Sequence, residues 1–499
     1  MSHDKDPEDV QVGTDGNDVM HARSTDIEHI FGMGGDDVIY LSTDDANGDL
    51  GYRETAYGND GNDQIYGGSH YNTLYGGSGD DLLETGKGQH FLYGGAGNDR
   101  LDGTIGYGDW ALYEGAAGGV VVSLLLQGTA QDTRGDGIDT LIGIENLGGS
   151  NFNDILRGDA GANRLEGGEG DDLLRGGAGN DDLQGRRGVD TVTYRDAEVG
   201  VRVVLAFLEG RSTGYQEGWF RDNITDVENV EGSRFSDHLT GGEIANELSG
   251  WDGSDRLLGM DGDDVVSGGS GTDSLNGGLA DDVLDGGLHN DRLYGEDGHD
   301  VLNGGDGADY LAGGRGVDLL DGGAHNDRLT GFIDADRLLG RDGDDLMNGG
   351  SGNDHLDGGS GADRVLGGNG VDVLRGGDGD DALSGGIGRD VLTGGAGSDM
   401  FIFRDGDTGA TARAADTIRD FDGNGDRVNL RSVDAIAGGE DDKFSFIGTD
   451  AFSGDAGELR YQVIDGNTFV QGDIDGDKVA DLMVRLDGLH DLTGTDFVL

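Results

Sequence analysis

The stretch GGSGNDHLDGGSGADRVLGGNGVDVLR, residues 349–375, states one nine-residue pattern three times in succession. From Gly232 to Ile402 the chain divides without a gap into 19 such nonads. The sixth position is Asp in 18 of them, the exception being Asn246. The eighth is apolar in all 19: 15 Leu, with Val266, Met347, Val365 and Phe401. Five phased nonads fill 58–102 and five more fill 149–193, with imperfect copies at 13–21 and 32–40.

Each nonad has two physical halves. The first six residues are turn chemistry, in which glycine supplies positive φ and close backbone approach and Asp tolerates the tight bend. The last three form a minimal strand whose middle side chain points inward. Two nonads therefore make one coil of a flattened solenoid, with turns on both edges and an aliphatic core between two parallel sheets. Stacked at strand spacing, the 19-nonad block spans roughly 45 Å. The single proline, Pro7, lies outside the repeats, because an internal strand must donate its backbone hydrogen bonds on every level.

Composition sharpens this reading. The 499 residues include 104 glycines, 100 acidic and 34 basic residues and no cysteine, for a formal charge of −66. Such an acidic, aromatic-poor chain reads as disordered when its residues are scattered; here they are phased. The charge repels nucleic-acid phosphates. Residues 1–10 lack the basic flank and apolar core of a cleaved signal peptide, and no apolar stretch is long enough to span a bilayer. Sixth-position carboxylates two nonads apart stack on one edge, which is self-defeating without a counter-charge. A hard cation between turns, held by Asp oxygens and turn carbonyls, removes the repulsion, and calcium suits an all-oxygen cradle better than magnesium.

The candidate ligands are therefore Asp18, Asp37, Asp63, Asp81, Asp99, Asp154, Asp172, Asp181 and Asp190, followed in the long block by Asp237, Asp255, Asp264, Asp273, Asp282, Asp291, Asp300, Asp309, Asp318, Asp327, Asp336, Asp345, Asp354, Asp363, Asp372, Asp381, Asp390 and Asp399.

The pattern GGxGxDxUx, with U a large apolar residue, resembles the nonapeptide of RTX proteins, whose repeats bind calcium and form parallel β-rolls. Five nonads depart from it by placing Ile244, Ala280, His289, His325 and Asp334 where the fourth-position glycine belongs. His and Asp enter the left-handed region at modest cost, Ile and Ala at more. Coils are expected to continue there with weaker calcium occupancy. Two spacers, 107–158 and 189–241, parallel each other: an apolar β-rich run, a Glu-Asn pair (Glu145-Asn146, Glu228-Asn229), then return to phase. They look like the wider β-solenoid coils often interleaved with RTX rolls.

Residues 403–499 are similar to the C-terminal domain of serralysin-type secreted proteases, including the apolar ending after Asp496. That resemblance implies type I export by an uncleaved C-terminal signal. Within it, Asp473, Asp475, Asp477 and Asp481 resemble an EF-hand-like loop without its terminal glutamate; a calcium site and a polar hairpin turn are both open. The expected organisation is imperfect repeats at 1–106, a first β spacer at 107–148, a short roll at 149–193, a second spacer at 194–231, the long roll at 232–402 and the secretion domain at 403–499.

No protease is legible. The eleven histidines contain no H-E-x-x-H run, and the only G-x-S-x-G match, Gly210–Gly214, lacks the strand-to-helix context of a nucleophile elbow. The RGD at Arg134–Asp136 is a coincidence of composition, and His289 and His325 read as turn residues. The expectation is an all-β, secreted calcium-binding β-roll protein that folds on extracellular calcium, serving as a structural or adhesive surface or matrix protein. The alternative is a non-proteolytic polysaccharide-active enzyme or accessory module, epimerase- or lyase-like. Expected partners are calcium ions, acidic polysaccharide or cell-surface components, and the type I secretion machinery, with no nucleic acid and no transmembrane segment.

Overall fold

The computed structural model describes residues 10–22, 29–41, 54–69, 71–103, 106–205, 212–216, 221–423, 425–436 and 442–499. Pro7 and the start of the Gly210–Gly214 stretch lie outside them. The described residues form an all-β parallel solenoid in two compact units, Met1–Gly242 and Glu243–Leu499.

The second unit is the simplest. One sheet stacks Val265–Ser270, Val283–Leu288, Val301–Asp306 and their successors to Val391–Ala396, each in parallel register with the strand 18 residues on. The facing sheet stacks Arg256–Asp261 through Ala382–Gly388 in the same way. Every eighth-position residue from Leu239 to Phe401 is at most 1% exposed. A coil thus buries two aliphatic side chains for 18 residues ordered, a thin core.

The strands are longer than the three residues expected. They run six, from the seventh position through the third of the next nonad, so both opening glycines belong to the ladder. The first glycine allows this because neighbouring coils touch there: a Cβ on Gly358 would overlap both the Asp363 carboxylate and the Gly376 carbonyl. Positive φ is taken at the second position of every nonad from Trp251 to Gly395 and at most fourth positions. At the fourth, Ala280, His289, His325 and Asp334 adopt it at 81°, 78°, 81° and 78° without breaking the stack, whereas Ile244 does not.

The first unit has the same plan with interruptions. Val19–His21, Val38–Tyr40, Gln64–Tyr66, Leu82–Glu84, Arg100–Asp102 and Ile138–Ile142 form one parallel sheet. Opposite runs another, from Val10–Val12 to Arg221–Thr225. The spacers widen a coil by inserting antiparallel strands: Ala130–Asp132 pairs with Ile138–Ile142, and Ser212–Gln216 lies between Val201–Val204 and Arg221–Thr225.

Beyond Phe401 the second unit closes on itself. Leu482–Leu486 pairs with Asp416–Ile418 on one sheet, and Phe497–Val498 pairs with Arg427–Ser432 on the other. The apolar chain end therefore covers backbone groups that an open sheet edge exposes.

Candidate metal centre

The turn positions assemble two carboxylate rows along the second unit. On one edge each backbone N–H donates to Oδ1 of the residue one coil on, from Asn246 to Asp264 and then stepwise to Asp282, Asp300, Asp318, Asp336, Asp354, Asp372, Asp390 and Asp416, at 2.7–3.0 Å. The other edge runs from Asp255 through Asp273, Asp291, Asp309, Asp327, Asp345, Asp363, Asp381 and Asp399 to Asp426. One oxygen of each carboxylate is thereby used as a rung.

The other oxygen is not. From Asp264 to Asp399, Oδ2 of every sixth-position aspartate is buried and accepts no hydrogen bond. A buried anionic oxygen without a partner is costly, and such atoms in a folded protein call for an explanation such as an unplaced ion. Each faces the first glycine of its own nonad and, at most levels, the first carbonyl of the next coil. A Cβ at Gly340, for instance, would meet Asp345 Oδ2 and the Gly358 carbonyl oxygen. The donor set is all oxygen, hard and anionic, and a side chain at the glycine would fill the space. These residues fit calcium.

Electrostatics agree. Burial pushes the Asp327 and Asp336 carboxyls up to about 8, and those of Asp282, Asp291 and Asp372 to about 7. The backbone N–H from the preceding coil pulls each down, and neighbouring carboxylates in the row push it up again. The rows hold charge that the protein alone does not compensate.

In the first unit Asp37, Asp63, Asp81 and Asp99 form one row, begun by the N–H of Asp18 and continued to Asp139. Asp154, Asp172 and Asp190 form a second, and Asn163, Asp181 and Asp222 a third. Oδ2 is buried and unpartnered at Asp37, Asp63, Asp81, Asp99, Asp172, Asp181 and Asp190. Three sites differ, and Ser or Thr stands at the second position of each. Oδ2 of Asp18, Asp154 and Asp237 accepts from the backbone N–H of Thr14, Ser150 and Ser233 respectively. The row facing Asp37–Asp99 is mixed: Asn72 donates to His90 Nδ1, the His90 N–H to Asp109 Oδ1, and the Asp109 N–H to Glu145 Oε2.

Several members escaped the nonad pattern. Asp139, Asp222, Asp416 and Asp426 continue rows across irregular segments that lie out of phase with the regular blocks. Gly135 and Gly137 precede Asp139 and Gly423 and Gly425 precede Asp426, whereas no glycine stands in the five residues before Asp416. The signal is the triplet Asp-x-apolar at Asp139–Leu141, Asp222–Ile224, Asp416–Ile418 and Asp426–Val428, whose third residue enters the core. The Glu-Asn pairs also acquire a role. Glu145 and Glu228 accept the backbone N–H of Asp109 and Asp190, ending rows where the chain leaves phase. In the second spacer the buried Tyr194 hydroxyl donates to Asp222 Oδ2 at 2.9 Å, so a proton donor faces the oxygen left bare elsewhere. Fifth-position side chains form an outer ladder of opposite polarity: the Asp281 N–H donates to Asp263 Oδ1 and the His299 N–H to Asp281 Oδ1.

The C-terminal aspartates occupy a hairpin between Asn467–Asp473 and Leu482–Leu486. Carboxylate oxygens of Asp473, Asp475 and Asp481 lie within 4.8 Å of one another; Asp477 is outside that group. Asp473 accepts from the N–H of Gly476 and Lys478, and Asp481 from that of Ile474, which are turn-stabilising bonds. Among the described residues no helix is long and apolar enough to cross a membrane.

The family model of the RTX calcium-binding nonapeptide repeat matches residues 57–108, 148–192 and 231–401, more than half of the chain. No curated protein matches the chain. Among solved structures it is similar to the R3 subunit of the AlgE6 mannuronan C5-epimerase of Azotobacter vinelandii, at 24% identity and a TM-score of 0.23, over 34% of this chain and 78% of that one. It is also similar to the extracellular lipase LipA of Serratia marcescens, at 12% identity and a TM-score of 0.17, over 76% of this chain and 42% of the lipase. The chain belongs to the family of RTX calcium-binding nonapeptide repeat proteins.

Proposed function

We propose that the sixth-position aspartates are the calcium ligands, and that the protein is exported unfolded and closes into its rolls on meeting extracellular calcium, where it serves as a structural or adhesive surface component. The observation that carries this is the unbroken series of buried, unpartnered Oδ2 atoms from Asp264 to Asp399. Calcium would supply the positive charge those oxygens lack. The protein's own part is to hold them: Oδ1 is tethered to the preceding coil, glycine keeps the space beside Oδ2 clear, and the aliphatic row keeps water from the other side. Where cytosolic calcium is scarce the same rows oppose closure, which suits a chain that must be threaded through an export channel. Calcium at 10⁻⁴–10⁻³ M, the range of extracellular modules, favours the folded state by mass action, since the unfolded chain offers no such cradle.

The test is circular dichroism of the chelated full chain during titration with calcium and, separately, magnesium. Cooperative gain of β signal with calcium and little with magnesium is expected. Full β content in chelator at neutral pH rejects the coupling. Density maps of the calcium-loaded protein with Asp345 and Asp363 facing bulk solvent and no ion beside them reject the ligand assignment.

A further inference from the structure

The two sheets of the second unit differ in what they show to solvent. The sheet built from Arg256–Asp261, Ser274–Leu279, Arg292–Asp297, Tyr310–Arg315, Arg328–Ile333, Leu346–Ser351, Arg364–Gly370 and Ala382–Gly388 presents its seventh and ninth nonad positions outward. No acidic residue occupies any of them, in a chain with 100 acidic residues; one carboxylate, that of Glu296 at a second position, reaches the face and accepts from the Asn276 side-chain amide at 3.1 Å. Arginine stands at 256, 292, 328 and 364, a spacing of 36 residues. The pairing is in register, with Ser274, Tyr310 and Leu346 between successive arginines. The guanidinium stems therefore rise from every second coil, roughly 10 Å apart at strand spacing.

All four arginines are exposed, and among the described residues none forms an ion pair, unlike Arg315 and Arg341. Arg315 pairs with Asp297 at the ends of adjacent strands of this sheet, and Arg341 with Asp321 on the opposite one. Aromatic rings lie within the row. Tyr294 and Tyr310 are 5.7 Å apart, and the Arg328 guanidinium lies 5.8 Å from the Tyr310 ring. The opposite sheet is not equivalent, since its ninth positions carry Asp285, Asp321 and Asp357.

We infer that the Arg256–Arg364 face binds a linear acidic polysaccharide whose same-side carboxylates recur once per two sugars. Guanidinium groups take carboxylates in paired, planar hydrogen bonds. An extended 1,4-linked polyuronate turns successive sugars over, so one side of the chain presents a carboxylate every second residue, a pitch that matches two coils. The Tyr294 and Tyr310 rings offer apolar surface to the sugar between. A nucleic-acid strand fits less well, because its charges recur about every 3.4 Å, far closer than the arginines of the row. The inference rests on the calcium-loaded roll proposed above, which sets the register of the row.

The experiment uses the full chain in calcium, with β content monitored by circular dichroism. It is titrated with a hexamer of β-1,4-linked glucuronic acid, too short to gel, and with cellohexaose as the neutral counterpart. The acidic hexamer is expected to bind, to weaken with salt, and to lose about tenfold in affinity, about 1.4 kcal/mol, in the double variant Arg292→Gln/Arg328→Gln. Arg315→Gln should bind as the wild type. Full β content without binding, equal binding of cellohexaose, or an unaffected double variant overturns this inference alone; absence of β content in calcium overturns the earlier reading with it. Concentration-dependent oligomers that the double variant abolishes, in place of glycan binding, also overturn it, and assign the row to the Asp285–Asp357 face of a second copy.

Discussion

The rolls of the two units answer one problem differently. In the second unit both edges are aspartate from Asp255 and Asp264 onward, and almost every level leaves one carboxylate oxygen bare. In the first unit the row facing Asp37–Asp99 substitutes Asn72, His90 and Glu145, Ser and Thr meet the carboxylates of Asp154, Asp237 and Asp18, and a tyrosine hydroxyl meets Asp222. Stacked rings run up the outside of its N-terminal coils, Phe31–Tyr57–Tyr75–Tyr93 at 4.3–4.7 Å. The contrast teaches that this chain leaves one carboxylate oxygen bare where the repeat is regular and supplies its own donors where it is interrupted.

Removing calcium should separate the two units most. Each ion held at a hundredfold excess over its dissociation constant contributes about 2.7 kcal/mol, and the second unit has many more bare carboxylates to fill. Chelation should therefore expose Glu243–Asp399 to limited proteolysis well before residues 106–242. Mass mapping of the fragments checks this, and simultaneous cleavage of both units removes the distinction.

Acid should act in place of calcium. Carboxyls such as Asp327 and Asp336, raised to about 8 in the fold from 3.8, bind protons more tightly folded than unfolded. Their contribution to the metal-free roll is complete below about pH 4 and is lost as pH rises through 6–8. Chelated protein should gain β signal between pH 8 and pH 4, and calcium-loaded protein should change little over that span. A chelated protein that loses structure on acidification would contradict the sign.

A single core truncation comes next. Leu329→Ala empties an inward position that is 0% exposed and should cost about 2–5 kcal/mol, read as a rise in the calcium midpoint for folding. Asp336→Asn sharpens the electrostatic half of the argument: it keeps the rung oxygen and removes the charge, so it should weaken calcium binding while making the chelated protein easier to fold. The smallest effect expected is that of Tyr194→Phe, about 1–2 kcal/mol from a lost buried hydrogen bond, seen in thermal unfolding of the first unit with little change in calcium stoichiometry.

Much of this was legible in the residues. Period, edge and core followed from Gly, Asp and Leu at unvarying spacing, because a coil of two nonads leaves one inward side chain per strand and nowhere else for it to go. The residues alone made Leu329 core and put Asp327 and Asp345 on one edge; they pointed to the fourth position for positive φ, whereas the second position is the one that takes it at every level from Trp251 to Gly395. It took the folded chain to show which carboxylate oxygen is a rung and which is left bare, that Asp139, Asp222, Asp416 and Asp426 carry the rows past irregular segments, and that Phe497–Val498 pairs along an edge. These depend on which backbone N–H comes to rest beside which side chain one coil away, a relation set by stacking and by insertions of uneven length. The arginine row has the same character: 36 residues is an ordinary interval along the chain, and becomes a surface only when every second coil is laid in register.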